Sequence, residues 1–320
     1  MTLARKRDAE QCYLITVVVV EGRNLLLPLR KVNDIFETAL GRALKKTEVE
    51  FHCGVVNVNH YHLVVSDATK PELGEFLREL NKVAAVELNR CHAKDGPVFR
   101  AHYHDEPLED PDEILNAMAY TLTNPVKDGL VRAMKDWPGY ITGIGEIGGR
   151  ARQVRRGEAH DYSPRTTLDA TYTIPAVVPR VFREAGVTAA AFRARLGKAC
   201  KRWEQYWRGE YRKTGYTGYM TTGELRDLPT NQPQPRPKPK TDLDIIRKTR
   251  RLTDLKQRRR LELRLFHEEY ELRLKEWREG DRTVRFPLGT YKMRRLHAVN
   301  IAPGVDTGPS PLGTAPRSPP

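Results

Sequence analysis

The sequence predicts an α/β sandwich over its first 140 residues, followed by a mainly helical, basic extension. Three observations lead there. Strand-like and helix-like patterns alternate from residue 13 to residue 124, and the apolar residues are concentrated in that first half. After Trp137-Pro138-Gly139 the texture changes to Gly, Arg and Lys with little periodicity.

The elements follow in order. Residues 13–20 (YLITVVVV) are β-branched and predict a strand, with Glu21-Gly22-Arg23-Asn24 as the turn after it. Over 29–45, Val32, Ile35, Phe36, Ala39, Leu40, Ala43 and Leu44 have the spacing of an amphipathic helix. Residues 49–66 predict one long strand. Residues 71–92 predict a second helix, with Leu73, Phe76, Leu77, Leu80, Ala84 and Leu88 on one side and Gly96-Pro97 as the break. Residues 98–104 predict a further strand. A third helix starts at Asp110-Pro111-Asp112-Glu113, where a capping aspartate, a proline in the first turn and a glutamate after it agree. It runs to Asn124 and is stopped by Pro125. The order βαβαβα suggests helices on one face of a sheet.

Beyond this block, 143–228 contain a Gly/Arg-rich segment and then a helical stretch over 179–212. There Trp203, Tyr206, Trp207 and Tyr211 are interleaved with Arg and Lys. Residues 229–241 form a stiff proline-rich linker. Residues 242–301 predict a long basic helix (242–280) and a short basic hairpin (282–297), and 302–320 a disordered Pro/Gly/Ser tail. The first domain therefore spans 1–142.

The formal charge is +14, which points to a polyanionic partner, with nucleic acid ahead of an anionic membrane surface. The cysteines, Cys12, Cys53, Cys91 and Cys200, form no CxxC pair. That argues against a disulfide scaffold or zinc ribbon and fits a reducing cytoplasm. No run of 18 apolar residues predicts a membrane span, and the charged N-terminus does not read as a signal peptide, so the expected location is cytoplasmic, associated with the nucleoid.

Two constellations carry chemistry. In Asn59-His60-Tyr61-His62 the alternation of a strand puts His60 and His62 on one face and Tyr61 on the other, half of a divalent-metal site. The bland reading is two histidines on the polar face of an edge strand. On the third helix, Ile114, Leu115, Met118, Thr121 and Leu122 cluster on one side, while Asn116, Tyr120 and Asn124 fall on the other. Tyr120 is thus either exposed or placed in a cleft with two carboxamides. A second pair, His102-Tyr103-His104 before Asp105-Glu106, reads as a solvated hairpin, Cys91-His92 is a poorly spaced zinc candidate, and His52 and Cys53 read as packing residues.

Together the motifs resemble a known family. NHYHLVV (59–65) is similar to the histidine signature of HUH nucleases, and YTLTNPVKDGLV (120–131) to the tyrosine segment of single-tyrosine transposases. DWPGY (136–140) looks like the tryptophan-proline motif of their REP-associated branch, and FPLGTYKMRRLH (286–297) like the tail of longer members. The resemblance covers roughly residues 10–142. It implies an α+β, ferredoxin-like sandwich with an antiparallel sheet, and a transposase that cuts and rejoins single-stranded DNA, with hairpin-forming ends as the substrate. His60 and His62 would bind Mg²⁺ or Mn²⁺, with Asn124 as third ligand, and Tyr120 would be the nucleophile, forming a 5′-phosphotyrosine. The family has both homodimers and monomers, so both stay open. The alternative is a domesticated DNA-binding protein with this fold and no cleavage; a water-using metal hydrolase and a basic RNA-binding module are further rivals. Given a DNA substrate, Arg247, Lys248, Arg250, Arg251, Lys256, Arg258, Arg259 and Arg260 are the expected phosphate contacts, with bases stacking on Trp203 and Trp207 unless those form a small core.

Overall fold

The computed structural model describes residues 6, 8–156, 169–232, 250–290 and 292–302. They fall into two compact units, Ala9–Thr241 and a second that joins Met1–Asp8 to Asp242–Pro320.

The first unit is built on strand β1 (Cys12–Val18), helix α1 (Arg30–Lys46), strands β2 (Glu50–Val56) and β3 (His60–Ser66), helix α2 (Leu73–Cys91) and strand β4 (His104–Leu108). The strands lie in the order β2-β3-β1-β4, and each neighbouring pair is antiparallel. Element order and sheet order together are those of the ferredoxin-like sandwich. The long strand expected over 49–66 is two strands. Asn57, Val58 and Asn59 fold the chain back, with the Asn57 N–H donating to the His60 carbonyl at 2.8 Å. Asparagines tolerate such a turn, and continuous Val-rich flanks hide it from a periodicity reading. The strand expected over 98–104 is also displaced. Only an isolated bridge joins Phe99 to Val19, and β4 begins at His104.

Alternation sorts the sheet into two faces. Tyr61 points towards α1 and α2, where its ring meets Phe36 at 5.2 Å and its hydroxyl donates to Asn81 Oδ1 at 2.8 Å. His60 and His62 point to the other face. Helix α3 (Pro111–Leu122) covers that side, packing on β2 and β3. The expectation of all helices on one face therefore fails for α3. Its start is as read: Asp110 accepts a hydrogen bond from the Glu113 amide at 2.8 Å.

The described residues of 143–156 and 169–228 share the core of the first block. Strands β5 (Arg152–Arg155) and β6 (Thr171–Ile174) pair and pack on α1, and a Cβ added at Gly41 would come within 2.5 Å of Tyr172 Cβ, so only glycine permits that approach. After the short helix α4 (Asn124–Lys127) come α5 (Arg180–Glu184), α6 (Ala189–Lys213) and α7 (Thr222–Arg226). Helix α6 packs on α3. Trp207 is fully buried and Trp203 is 8% exposed, which selects the core reading of these tryptophans over base stacking. They seal α6 against the tyrosine helix.

The second unit holds helix α8 (Arg250–Arg278), strands β7 (Arg285–Phe286) and β8 (Asn300–Ile301) and helix α9 (Lys292–His297). Phe266, Tyr270, Leu274, Phe286 and Met293 form its core. Among the described residues no hairpin forms over 282–297. Phe286 and Arg285 pair in parallel with Ile301 and Asn300 instead, and the chain between them carries α9. Of the expected phosphate contacts, Arg247 and Lys248 lie outside the described residues, as do the tail beyond 302 and most of the linker. Arg250, Arg251, Lys256 and Arg258 lie on α8, and Arg259 is half-buried and Arg260 exposed there. Among the described residues no helix is long and apolar enough to cross a membrane.

Candidate metal and nucleophile site

The site is assembled where the start of β3 faces the end of α3. Strand alternation puts the imidazoles of His60 and His62 side by side, ring centroids 4.9 Å apart, both buried. Each ring is held by its Nδ1. His62 Nδ1 meets the hydroxyl of Thr16, its cross-strand neighbour on β1, at 2.9 Å. His60 Nδ1 meets Asn59 Oδ1 at 2.9 Å. The Asn59 amide is oriented in turn because its Nδ2 donates to the Gly22 carbonyl at 3.1 Å. A carbonyl oxygen only accepts, so Nδ1 of a neutral His60 carries the proton and Nε2 presents a lone pair.

That lone pair faces other acceptors. Asn124 Oδ1 lies 3.1 Å from His60 Nε2 and Asp128 Oδ2 lies 3.7 Å away. Into the same space projects the amide nitrogen of Asn57, which donates to Asn124 Oδ1 at 2.6 Å and to Asp128 Oδ2 at 2.9 Å, and stands 3.4 Å from His60 Nε2. Two buried polar atoms of the cluster, Asn57 Oδ1 and Asn124 Nδ2, have no hydrogen-bond partner. Acceptors pressed together and carboxamides left half-satisfied are costly in a water-poor interior. A cation relieves both faults.

The donor set suits a hard divalent ion. Octahedral ligands at about 2.1 Å from Mg²⁺ stand about 3.0 Å from one another, close to the spacing of His60 Nε2 and Asn124 Oδ1. Among the described residues no group of three His, Cys, Asp or Glu side chains forms a metal cluster. An ion held here would depend on a carboxamide oxygen, as a weakly held, partly hydrated ion allows. His62 is pushed well below the usual histidine range, first by burial and then by the neighbouring His60 and Lys127, so it stays neutral and able to ligate.

Tyr120 closes the other side. It is half-buried, its ring edge-on to His62 at 5.6 Å and to Trp203 at 5.9 Å, with Lys127 Nζ over its face at 5.3 Å. The three residues expected to share one helix face separate. Asn116 is exposed and away from the cluster, whereas Asn124 is fully buried. Pro125 does end α3, with Thr123 as its C-cap, but α4 begins at once and keeps Asn124 against His60. Sequence reasoning missed Asn57, Asp128, Lys127 and Thr16. Asp128 had a readable signal, one turn beyond Asn124 in the same segment; Thr16 had none before the strand register was known. Of the rival candidates, His102 and His104 are exposed, and His92 Nε2 bonds the Leu25 carbonyl at 2.8 Å.

No family model and no curated protein matches the chain. Among solved structures it is similar to a REP-associated tyrosine transposase bound to a REP hairpin, at 18% identity over 43% of this chain and 81% of that one, with a TM-score of 0.38. It is also similar to a candidate transposase from Deinococcus radiodurans, at 14% identity over 34% of this chain and 88% of that one, with a TM-score of 0.28.

Proposed function

We propose that this chain is a transposase that cuts and rejoins single-stranded, hairpin-forming DNA through Tyr120. The observation that carries the reading is the convergence of a histidine pair, a carboxamide and a solvent-reaching tyrosine on one sheet face. A metal-binding module alone has no use for the tyrosine, and a tyrosine packed for stability has no reason to abut the ligands.

A divalent cation, Mg²⁺ or Mn²⁺, held by His60, His62 and Asn124 would polarise the oxygens of the scissile phosphate. The residues of the chain supply the rest. Tyr120 Oη attacks phosphorus and its proton passes to solvent. The bond from phosphorus to the leaving 3′ oxygen breaks and that oxygen takes a proton from solvent, giving a 5′-phosphotyrosine and a free 3′-OH. Attack of a 3′-OH on that linkage reverses the step and joins a strand without an external energy source. Trp203 fixes the tyrosine ring from behind, and Lys127 places a positive charge beside it where the phosphate must approach. The basic run of α8 is assigned to backbone phosphates, a contact that weakens with salt.

The test is a denaturing gel of full-length protein with labelled single-stranded hairpins from the DNA flanking the gene, in the presence of Mn²⁺. A slow-migrating covalent adduct is expected from the wild type, lost in Tyr120→Phe and with EDTA. Cleavage without an adduct, retained in Tyr120→Phe, would instead assign a metal-activated water as nucleophile. Metal-independent binding with no cut on any flanking sequence would leave a DNA-binding protein.

A further inference from the structure

We infer that the outer face of α6 is a DNA contact in its own right, a row of cations that holds the phosphate backbone of the hairpin beside Tyr120; the inference rests on the DNA reading above. Helix α6 has two faces. Phe192, Leu196, Trp203 and Trp207 are buried on its inner side. At about 100° per residue, Arg195, Lys198, Lys201, Arg202, Arg208 and Arg212 fall on the side turned away from them. Arg208 is half-buried and the other five are exposed. The helix carries two carboxylates, and neither opposes the row. Glu204 accepts from the Met134 amide at 2.7 Å, and Glu210 pairs with Lys213 at 2.6 Å.

The charges of this row go unanswered. Elsewhere in the same unit, arginines at the surface are matched with acids: Arg78 with Glu75, Arg180 with Glu184, Arg183 with Glu50. Among the described residues none of the six cations on α6 makes such a pair. Like charges three and four residues apart, as at Arg195 and Lys198 or at Lys198, Lys201 and Arg202, destabilise a helix. A face kept only for solubility gains by mixing signs, and this one does not. A polyanion laid along the row removes the repulsion and releases its own counterions. From Arg195 to Arg212 the row is about 26 Å long, enough to follow about seven base pairs of a hairpin stem. Its place in the fold ties it to the reaction. Helix α6 packs on α3 within one compact unit, so the row is fixed relative to the nucleophile. Trp203 stands 5.9 Å from Tyr120, and half-buried Tyr206, at the edge of the row, stands 6.1 Å from Trp203.

The experiment measures fluorescence anisotropy of a labelled single-stranded hairpin from the DNA flanking the gene. The full-length protein carries Tyr120→Phe, so that binding is read without cutting, and the titration is repeated at several salt concentrations. One variant adds Lys198→Gln, Lys201→Gln and Arg208→Gln. A second variant removes three exposed cations from α2, on the opposite face of the sheet, by Arg78→Gln, Lys82→Gln and Arg90→Gln. The two lose the same net charge. The α6 variant is expected to bind about 10–100-fold more weakly near 0.1 M salt and to lower the slope of log K against log salt by about 3. The α2 variant should stay within about threefold of the parent, with its slope unchanged. Thermal melts check both folds, and Arg195→Gln, Arg202→Gln and Arg212→Gln repeat the test with the remaining members of the row. Equal losses in the α6 and α2 variants would reduce the effect to net charge and overturn the inference. Parent-like binding by the α6 variants overturns it as well. A parent protein that binds no flanking hairpin overturns the DNA reading itself and the inference with it.

Discussion

Two buried histidine sites lie on neighbouring strands of one sheet, and they are built on opposite principles. His52, on β2, has both ring nitrogens satisfied: Nδ1 meets the Val177 carbonyl at 2.8 Å and Nε2 meets the Ser66 hydroxyl at 2.8 Å. It ties the central sheet to the segment leading into α5, which gives it a structural role. His60 and His62, on β3, are satisfied through Nδ1, and the Nε2 of His60 faces acceptors. Burial is the same in both places. What differs is the quality of the match at the second nitrogen: His60 Nε2 stands 3.4 Å from the Asn57 amide nitrogen and is crowded by Asn124 Oδ1 at 3.1 Å, a geometry that a ligand would improve.

Paired substitutions bring the contrast out most strongly. His62→Ala is expected to lower DNA cleavage about 10³-fold, the scale on which losing one polarising group acts, with a modest loss of stability. Its hydroxyl partner, Thr16, is half-buried and open to water. His52→Ala should do the reverse. It removes a packed ring and leaves a carbonyl and a hydroxyl unpaired, at about 2–4 kcal/mol of stability. Cleavage rates and urea midpoints measured on both variants check this, and equal stability losses would break the distinction.

Acid should separate the two sites next. Burial holds His52 down to about 4, from 6.5. A histidine whose folded value is depressed stabilises the fold above its unfolded value, and that contribution is lost as pH falls from about 6.5 towards 4. The difference corresponds to about 3 kcal/mol across that window. His62 is displaced in the same direction and adds to it. The midpoint of urea unfolding should therefore fall more steeply between pH 7 and 4.5 in the wild type than in His52→Leu. Parallel slopes would mean that His52 is not the group being protonated.

Much of this was legible in the residues. The alternation in HYH put two imidazoles on one face, and the resemblance to single-tyrosine transposases singled out Asn124, which the structure sets 3.1 Å from His60 Nε2. Asp110-Pro111 announced the start of the tyrosine helix correctly because capping is local chemistry. What stayed hidden depends on contacts far apart in sequence. The turn at Asn57 is masked by the valines around it, and the role of Thr16 exists only through a register set by β1 and β3. The aromatic run of α6 shows the limit of periodicity most clearly. Trp203 and Trp207 interleaved with basic residues look the same whether they stack on bases or seal a helix, and only the position of α3 decides it.

The smallest effect is expected at the second histidine pair, which the sequence alone ranks as a rival. His104 is opposite Thr16 on β1, and Thr16 is opposite His62 on β3, so His104 and His62 lie in one cross-strand row. With neighbouring strands about 4.8 Å apart, His104 stands about 10 Å from His62. Side chains standing upright on a sheet keep that separation. Between them the Thr16 hydroxyl is already engaged with His62. His104 is also exposed, on the edge strand, where water replaces any partner it loses. His102→Ala and His104→Ala should each change stability by less than about 0.5 kcal/mol and leave Mn²⁺ affinity within about twofold. A tenfold loss of Mn²⁺ binding in His104→Ala would mean that the row across β1, rather than the His60–His62–Asn124 corner, holds the ion, and it would move the metal to the open edge of the sheet.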